Sequence, residues 1–317
     1  MDIGFTDENS IVEENLKDLT VSISLSYEER VCEIALLAQQ AVSYVKELME
    51  SDMSFSDAIT AIREEGKILS EVFATDKESF LYERVAEFTK DISYRDKVLF
   101  SEFLCDFLAK DGIKIDESDL LPTDISGERF IYVKNVLSDE AFDVFSQEFD
   151  DPRIVYAQTT RDALRSVADG SSDYCIVPFE EKGGARIIGI YAMVAALDLK
   201  IAAVTPIFGP EGNADVKYAL VGRDFIDLDK QEDDDVYIEI SIPQDSSLSV
   251  SALLSTAEKL GLSVYRIGSI EYDRDSVGTP AVYVSFRDSG NGIVPLLAFL
   301  EMFVDDFSAI GLYKNIE

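Results

Sequence analysis

Between about residues 28 and 111, apolar side chains recur three and four positions apart. The stretches "YEERVCEIALLAQQAVSYVKELME", "SFSDAITAIREEGKILSEVFA", "DKESFLYERVAEFTKDI" and "YRDKVLFSEFLCDFLAKDG" each carry this period. The spacing predicts four amphipathic helices. Ser54 or Ser56 is placed to cap the second, and Gly112 to stop the fourth. "IKIDESDLLPTDISGE" is polar and turn-rich and reads as a boundary.

From Arg129 the period shortens. "RFIYVKNV", "PRIVYAQ" and "DYCIVPF" read as strands. The helices "SDEAFDVFSQEF" and "TTRDALRSVADG" lie between them, and "IIGIYAMVAALD" follows. Strands alternating with helices predict a parallel α/β layer, which continues through "LKIAAVTPIF" and "VKYALVG". After the charged linker "RDFIDLDKQEDDD" come a strand, a helix, two strands, a helix and a last strand, "AIGLYKN". That order, βαββαβ, predicts a ferredoxin-like unit. The pattern as a whole predicts an α+β multidomain chain. A helical domain over residues 1–115 precedes an α/β domain over 128–225, and a ferredoxin-like domain over 235–317 closes it.

Composition narrows the chemistry. Sixty-two Asp and Glu against 28 Lys and Arg give a net charge of −34. A surface this acidic repels phosphate backbones and anionic lipid heads, so neither nucleic acid nor membrane is an expected partner. The chain has no histidine, which removes Ser-His-Asp and Cys-His machinery and imidazole metal sites; no metal or cofactor is expected. Cys32, Cys105 and Cys175 are far apart and odd in number, and each sits among apolar residues. They read as buried inert thiols in a reducing compartment. The acidic start "MDIGFTDENSIVEENLKD" lacks the pattern of a signal peptide, and the apolar run Ile187–Leu197 is too short to span a bilayer. The expected location is the cytoplasm.

Several motifs, in order, carry a resemblance over roughly residues 129–317. "DYCIVPFEE" with its following helix resembles the prephenate dehydratase motif, an aspartate and an apolar strand running into P-I-E-N-S. "VKYALVGRD" is similar to that family's T-R-F strand. The tail resembles the ACT domain that follows the dehydratase, with "AIGLYKN" matching the closing L-G-S-Y-P. The resemblance implies a central domain that is half of a periplasmic-binding-like dehydratase domain, followed by an ACT domain. It also implies a chemistry, loss of water and carbon dioxide from prephenate.

The departures from that pattern matter as much as the matches. Glu180 is kept from E-N-S, while Glu181 and Lys182 replace its Asn and Ser; Val216, Lys217 and Tyr218 stand at T-R-F. Valine has no hydroxyl to donate a proton, and lysine lacks the planar fork of arginine. A second carboxylate at Glu181 repels a dianionic substrate. Only "TPIFGPEGNAD" separates Val204 from Val216, where the family carries a second lobe. The expectation is a dismantled catalytic site and a non-catalytic, amino-acid-sensing or regulatory protein linked to aromatic amino acid biosynthesis.

By alignment to the ACT ligand contacts, Leu248, Ser249 and Val250 match the G-A-L turn, and Gly268 and Ser269 begin the E-S-R-P segment. Asp245, Ser246, Ser247 and Ser249 precede a helix whose free N–H groups can hold a carboxylate, or simply cap it. The partners implied are a small amino-acid ligand and a second copy, paired through the ACT-like domain. Two alternatives stay open. One is an active dehydratase, or a bifunctional enzyme with a chorismate mutase in the helical domain using Arg30, Lys46, Arg63, Glu64 and Lys67. The other is an interaction protein with no ligand. "GPEGNAD" lacks the context of a phosphate loop, and Lys182 with Arg186 is a weak anion-site pattern.

Overall fold

The computed structural model describes the backbone of residues 8–61, 93–121, 123, 127–182, 184–208, 214–226, 235–270, 280–288 and 290–316. Contacts divide the chain into two units, Met1–Lys114 and Ile115–Glu317.

In the first unit, α1 runs from Glu8 to Glu50 and α2 from Tyr94 to Lys110, with a further helical stretch at 55–61. Helix α1 starts well before the periodic stretch that predicts it, because "ENSIVEENLKDLTVSISLSY" holds no Gly or Pro to stop it. Val98, Phe100, Leu104 and Leu108 form the buried face of α2. Ser93 caps its start, and Gly112, at φ +86°, ends it. Most of the second and all of the third predicted helices lie outside the described residues, as do Arg63, Glu64 and Lys67. Cys32 is exposed and Cys105 half-buried, so the expectation of three buried thiols holds for Cys175 alone. Cys32 lies on the outer face of α1, away from the buried Ile34, Ala38 and Ala41.

The second unit is built on one nine-stranded sheet. Its strands are β1 (Arg129–Val133), β2 (Arg153–Ala157), β3 (Tyr174–Glu180), β4 (Lys200–Phe208), β5 (Ala214–Gly222), β6 (Val236–Pro243), β7 (Ser263–Ile270), β8 (Ala281–Asp288) and β9 (Ser308–Lys314). They lie in the order β2-β1-β3-β5-β4-β9-β6-β8-β7. β2, β1 and β3 are parallel, whereas β5 runs antiparallel to both β3 and β4. The layer is therefore mixed, because the chain between β4 and β5 is too short for the crossover that a parallel pair needs. Five residues, 209–213, separate Phe208 from its partner Ala214.

Strands β6 to β9 lie in the order β9-β6-β8-β7 with antiparallel neighbours, as in a βαββαβ unit. They continue the same sheet as the α/β strands. β4 meets β9 in parallel at Ile201–Gly311, with a second bridge at Val204–Asn315.

Helices α3 (Val136–Phe145), α4 (Thr160–Ala168), α5 (Ile188–Ala196), α6 (Val250–Lys259) and α7 (Ile293–Phe303) complete the unit. Ala141, Phe142 and Phe145 of α3 pack with Phe130, Tyr132, Ile176, Tyr218 and Leu220 in one core. Leu164 and Val167 of α4, with Tyr191 and Val194 of α5, pack with Val177, Phe179, Ile201 and Val221 in another, which extends to Tyr237, Tyr283 and Tyr313. Successive strand residues point to opposite faces, which puts α3 on one side of the sheet and α4 and α5 on the other. Helix α3 begins three residues before the predicted start, because the Asn135 side chain accepts from Ser138 N–H at 3.0 Å and so caps it.

Asp173, the aspartate of the family-like motif, fixes the start of β3 against β1. Its carboxylate accepts from the Glu128 and Arg129 backbone N–H groups at 3.1 and 2.9 Å, and from Arg129 Nη2 at 2.7 Å. The Arg129 guanidinium first, then the backbone donors, hold its pKa down at about 2 against an ordinary 3.8. A depressed carboxyl stabilises the fold fully above its unfolded value, and the contribution disappears as pH falls through the folded one. Asp173→Asn should therefore lower the melting temperature at neutral pH and leave it nearly unchanged at about pH 2, flattening the acid limb between. Circular-dichroism melts across that window would check this.

Candidate functional site

The stretch "FEEKGGAR" joins β3 to α5 by folding back on itself. Gly184 takes φ +83°, which favours glycine, and its N–H donates to Glu181 carbonyl at 2.9 Å. Glu181 N–H donates to Ala185 carbonyl at 2.8 Å, and Ile187 N–H to Phe179 carbonyl at 3.1 Å. Glu180 and Arg186 thus become antiparallel bridge partners. A register shift between Pro178 and Glu180 re-aims the end of β3. The turn carries Arg186 inward, where its guanidinium lies 3.5 Å from the centre of the Phe179 ring.

Arg186 is held by two carboxylates. Its Nη1 is 3.4 Å from Glu180 Oε1, and its Nη2 pairs with Glu239 Oε1, in the middle of β6. Tyr313 on β9 donates to Glu239 at 2.6 Å and accepts from Arg186 Nη2 at 2.9 Å, while Ser285 on β8 donates to Glu239 at 2.9 Å. Glu180 has two further cations, Lys217 on β5 at 3.6 Å and Arg266 on β7 at 3.3 Å. The side chains of Arg186, Glu180 and Glu239 are 1, 3 and 0% exposed. Tyr191 and Tyr283 close the cluster with ring centres 4.5 Å apart.

Burial alone would lower the pKa of Arg186, but Glu239, Tyr313 and Glu180 outweigh it and keep the guanidinium charged. Burial and then Glu239 push the Tyr191 and Tyr313 phenols well up, so both stay neutral. Arg186 Nε and Nη1, Tyr191 Oη and Glu239 Oε2 are buried and make no hydrogen bond within the protein. Among the described residues no cluster of Cys, Asp and Glu is arranged to hold a metal ion.

The sequence-derived residues separate into three places. Glu180 and Lys217 are cross-strand partners, as are Pro178 and Tyr218. Glu181 and Lys182 sit exposed on the turn. Val216 packs beside the α3 core, in which Tyr218 is buried. Arg186, weighed with Lys182 as an anion site, instead faces Glu180 and Glu239. Burial pushes the Cys175 thiol up, and that of Cys105 to about 12, so neither is a ready nucleophile.

In the tail, Ser249 caps α6 by accepting from Ala252 N–H at 3.2 Å. Ser246 donates to Asp306 at 2.9 Å and accepts from Leu248 N–H at 3.2 Å, and Leu248 is buried. Asp245 and Ser247 lie on the same short loop, and Val250 opens the helix. Gly268 faces Tyr283 across the strands, and a Cβ there would meet the Tyr283 ring at 2.5 Å. Ser269 follows it, opposite Val282. The loop and these strand residues share one end of the sheet, where Pro243, Ala281 and Ile270 are aligned. Arg30 pairs with Glu33 and Asp96, and Lys46 with Asp111, so both mutase candidates that are described join in ion pairs of the helical unit.

Sequence reasoning missed Glu239, Arg266, Tyr191, Tyr283 and Tyr313. "VYIEISIP" alternates, which reads as one buried and one solvated face. The second face is buried too, under the β3–α5 turn and α5. Replacing Arg186 by Met should leave two buried carboxylates without their shared cation and cost about 3–5 kcal/mol. Adding Glu239→Gln should recover part of that loss. Urea denaturation of the single and double variants measures both, and a loss below about 1 kcal/mol for Arg186→Met would contradict the assignment.

No protein-family model matches the sequence. No curated protein is similar to it. Among solved structures, the chain is similar to a prephenate dehydratase from Streptococcus mutans, at 13% identity over 60% of this chain and 98% of that one, with a TM-score of 0.44. It is also similar to GqqA, described as a novel type of quorum-quenching acylase, at 14% identity over 59% and 95% of the two chains, with a TM-score of 0.43. A prephenate dehydratase from Arthrobacter aurescens in complex with L-Phe gives 14% identity over 58% and 89%, with a TM-score of 0.42.

Proposed function

We propose that this chain is a prephenate dehydratase-like protein that has given up catalysis and works as an amino-acid-sensing or regulatory protein. The observation that carries the reading is the state of Glu180. The rim carboxylate, which in the resemblance borders a substrate cleft, is 3% exposed here and shared among Arg186, Lys217 and Arg266. A carboxylate so engaged is not offered to a substrate, and valine at position 216 supplies no proton donor. The β4–β5 hairpin occupies the point in the chain where a second lobe would be inserted, so a closed cleft that excludes water has no second wall.

The sensing part of the proposal rests on the tail. Asp245, Ser246, Ser247, Leu248, Ser249 and Val250 form the loop leading into α6, and Gly268 and Ser269 lie at the same end of the sheet. β7 is an edge strand with Val264, Tyr265 and Ile267 each at least 40% exposed. An apolar edge of this kind suits pairing with a second copy of the chain. A small amino acid held between that loop and a partner's edge is the ligand class this arrangement fits.

A thermal-shift panel of amino acids, prephenate and chorismate tests the proposal. One amino acid should raise the melting temperature, by an amount equivalent to about 2.7 kcal/mol at a hundredfold excess over its Kd. Prephenate should neither shift it nor be turned over to phenylpyruvate. Turnover of prephenate would overturn the non-catalytic reading. Silence toward every amino acid, together with a monomer by light scattering, would overturn the sensing one.

A further inference from the structure

The single sheet of the second unit is made of two halves that are unequally joined. Within the tail, β6 and β8 pair without interruption from Val236–Asp288 to Pro243–Ala281. Between the halves, β4 and β9 share the Ile201–Gly311 pair and the Val204–Asn315 bridge, with Ile316 N–H donating to Val204 carbonyl at 2.8 Å. Side chains do the rest, and they do it crosswise. The α/β half gives Arg186 to Glu239 of the tail, and the tail gives Arg266 to Glu180 of the α/β half.

Along this seam Arg, Glu, Ser and Tyr stand beside the apolar Ile201, Val204, Ile270 and Ile310, a more polar mix than an ordinary core. Tyr191 and Phe179 from one half face Tyr283 and Tyr313 from the other. Arg and Tyr are the residues enriched where surfaces associate reversibly. Each of these groups regains hydration if the seam opens, which offsets the loss of its partner; an apolar seam of the same size has no such return. The hydrogen-bonding gaps at Arg186, Tyr191 and Glu239 lower the cost further.

We propose that the seam is a latch. The tail swings as one body about the β4–β9 junction, held shut by the Arg186–Glu239 and Arg266–Glu180 exchange, and opening it uncovers Glu180 and Lys217 together. Both pairs cross the same seam and meet at the Glu180–Arg186 contact, so a movement that parts the halves breaks the two together. The inference does not depend on an amino acid binding the tail.

Native-state hydrogen exchange on the full chain tests it. In the wild-type protein, at denaturant below the unfolding midpoint, the β9 and Ile316 amides should exchange together with those of Glu181, Gly184 and Ile187 through an opening distinct from global unfolding. The β6–β8 amides should exchange only on global unfolding. Arg266→Gln, which leaves the backbone pairing intact, should speed the seam amides as a group, by roughly tenfold or more, and leave β6–β8 unchanged. The latch is overturned if the seam amides share the global isotherm in the wild-type protein, or if the effect of Arg266→Gln stays on β7 alone. The wild-type measurement stands even if the variant does not fold.

Discussion

One buried guanidinium ties the α/β strands of the second unit to its tail. Arg186 lies between Glu180 at the end of β3 and Glu239 in the middle of β6, and its plane is covered by Phe179. Charges taken out of water are costly unless they are paired with good geometry, and the cost of a missing partner exceeds the gain of a present one. Much else in the unit follows from this constraint. The β3–α5 turn must fold tightly enough to return Arg186 to Glu180, which is the reason for the left-handed Gly184. The inward face of β6 must offer an acid, β8 a serine and β9 a tyrosine to satisfy that acid.

The same constraint explains why the two sequence-level domains share one sheet. A ferredoxin-like unit has one face covered by its own helices and one free. Here that free face holds Glu239, Ser285, Tyr283 and Tyr313, and α5 and the β3–α5 turn lie against it. Gly311 has space for the approach of β9 to β4: a Cβ there would come within 3.2 Å of Ile201 and of the Tyr313 ring. The sheet can continue across the seam because small and polar residues let the backbones meet.

Much of the architecture was legible in the sequence because it depends on local period. The switch from a helical spacing to strands at Arg129, the caps at Ser54 and Ser249, and the βαββαβ order all follow from nearby residues. The start of α3 was misplaced because Asn135 and Ser138 are both good caps, and only the fold decides between them. The site was less legible. Glu180 and Lys217 were found through motif spacing, and the register of β3 with β5 does bring them together. Glu239 and Arg266 were invisible, because a lone acid or base on an alternating strand ordinarily points to solvent. Whether that face is covered depends on a contact between halves of the unit distant in sequence.

This has a consequence for reading degenerate motifs. Glu180 matches the E-N-S motif where Glu181 and Lys182 do not, and one matching residue is easily taken as a sign of catalysis. Its three cationic partners suggest another cause. Val or Gln at position 180 would leave Arg186 with Glu239 as its one carboxylate, and would take from Lys217 and Arg266 the anion they share. Burial and pairing are then enough to account for a carboxylate at position 180. Glu181 and Lys182 sit exposed on the turn. Along "FEEKGGAR", burial and pairing are what set Glu180 and Arg186 apart from the exposed Glu181 and Lys182.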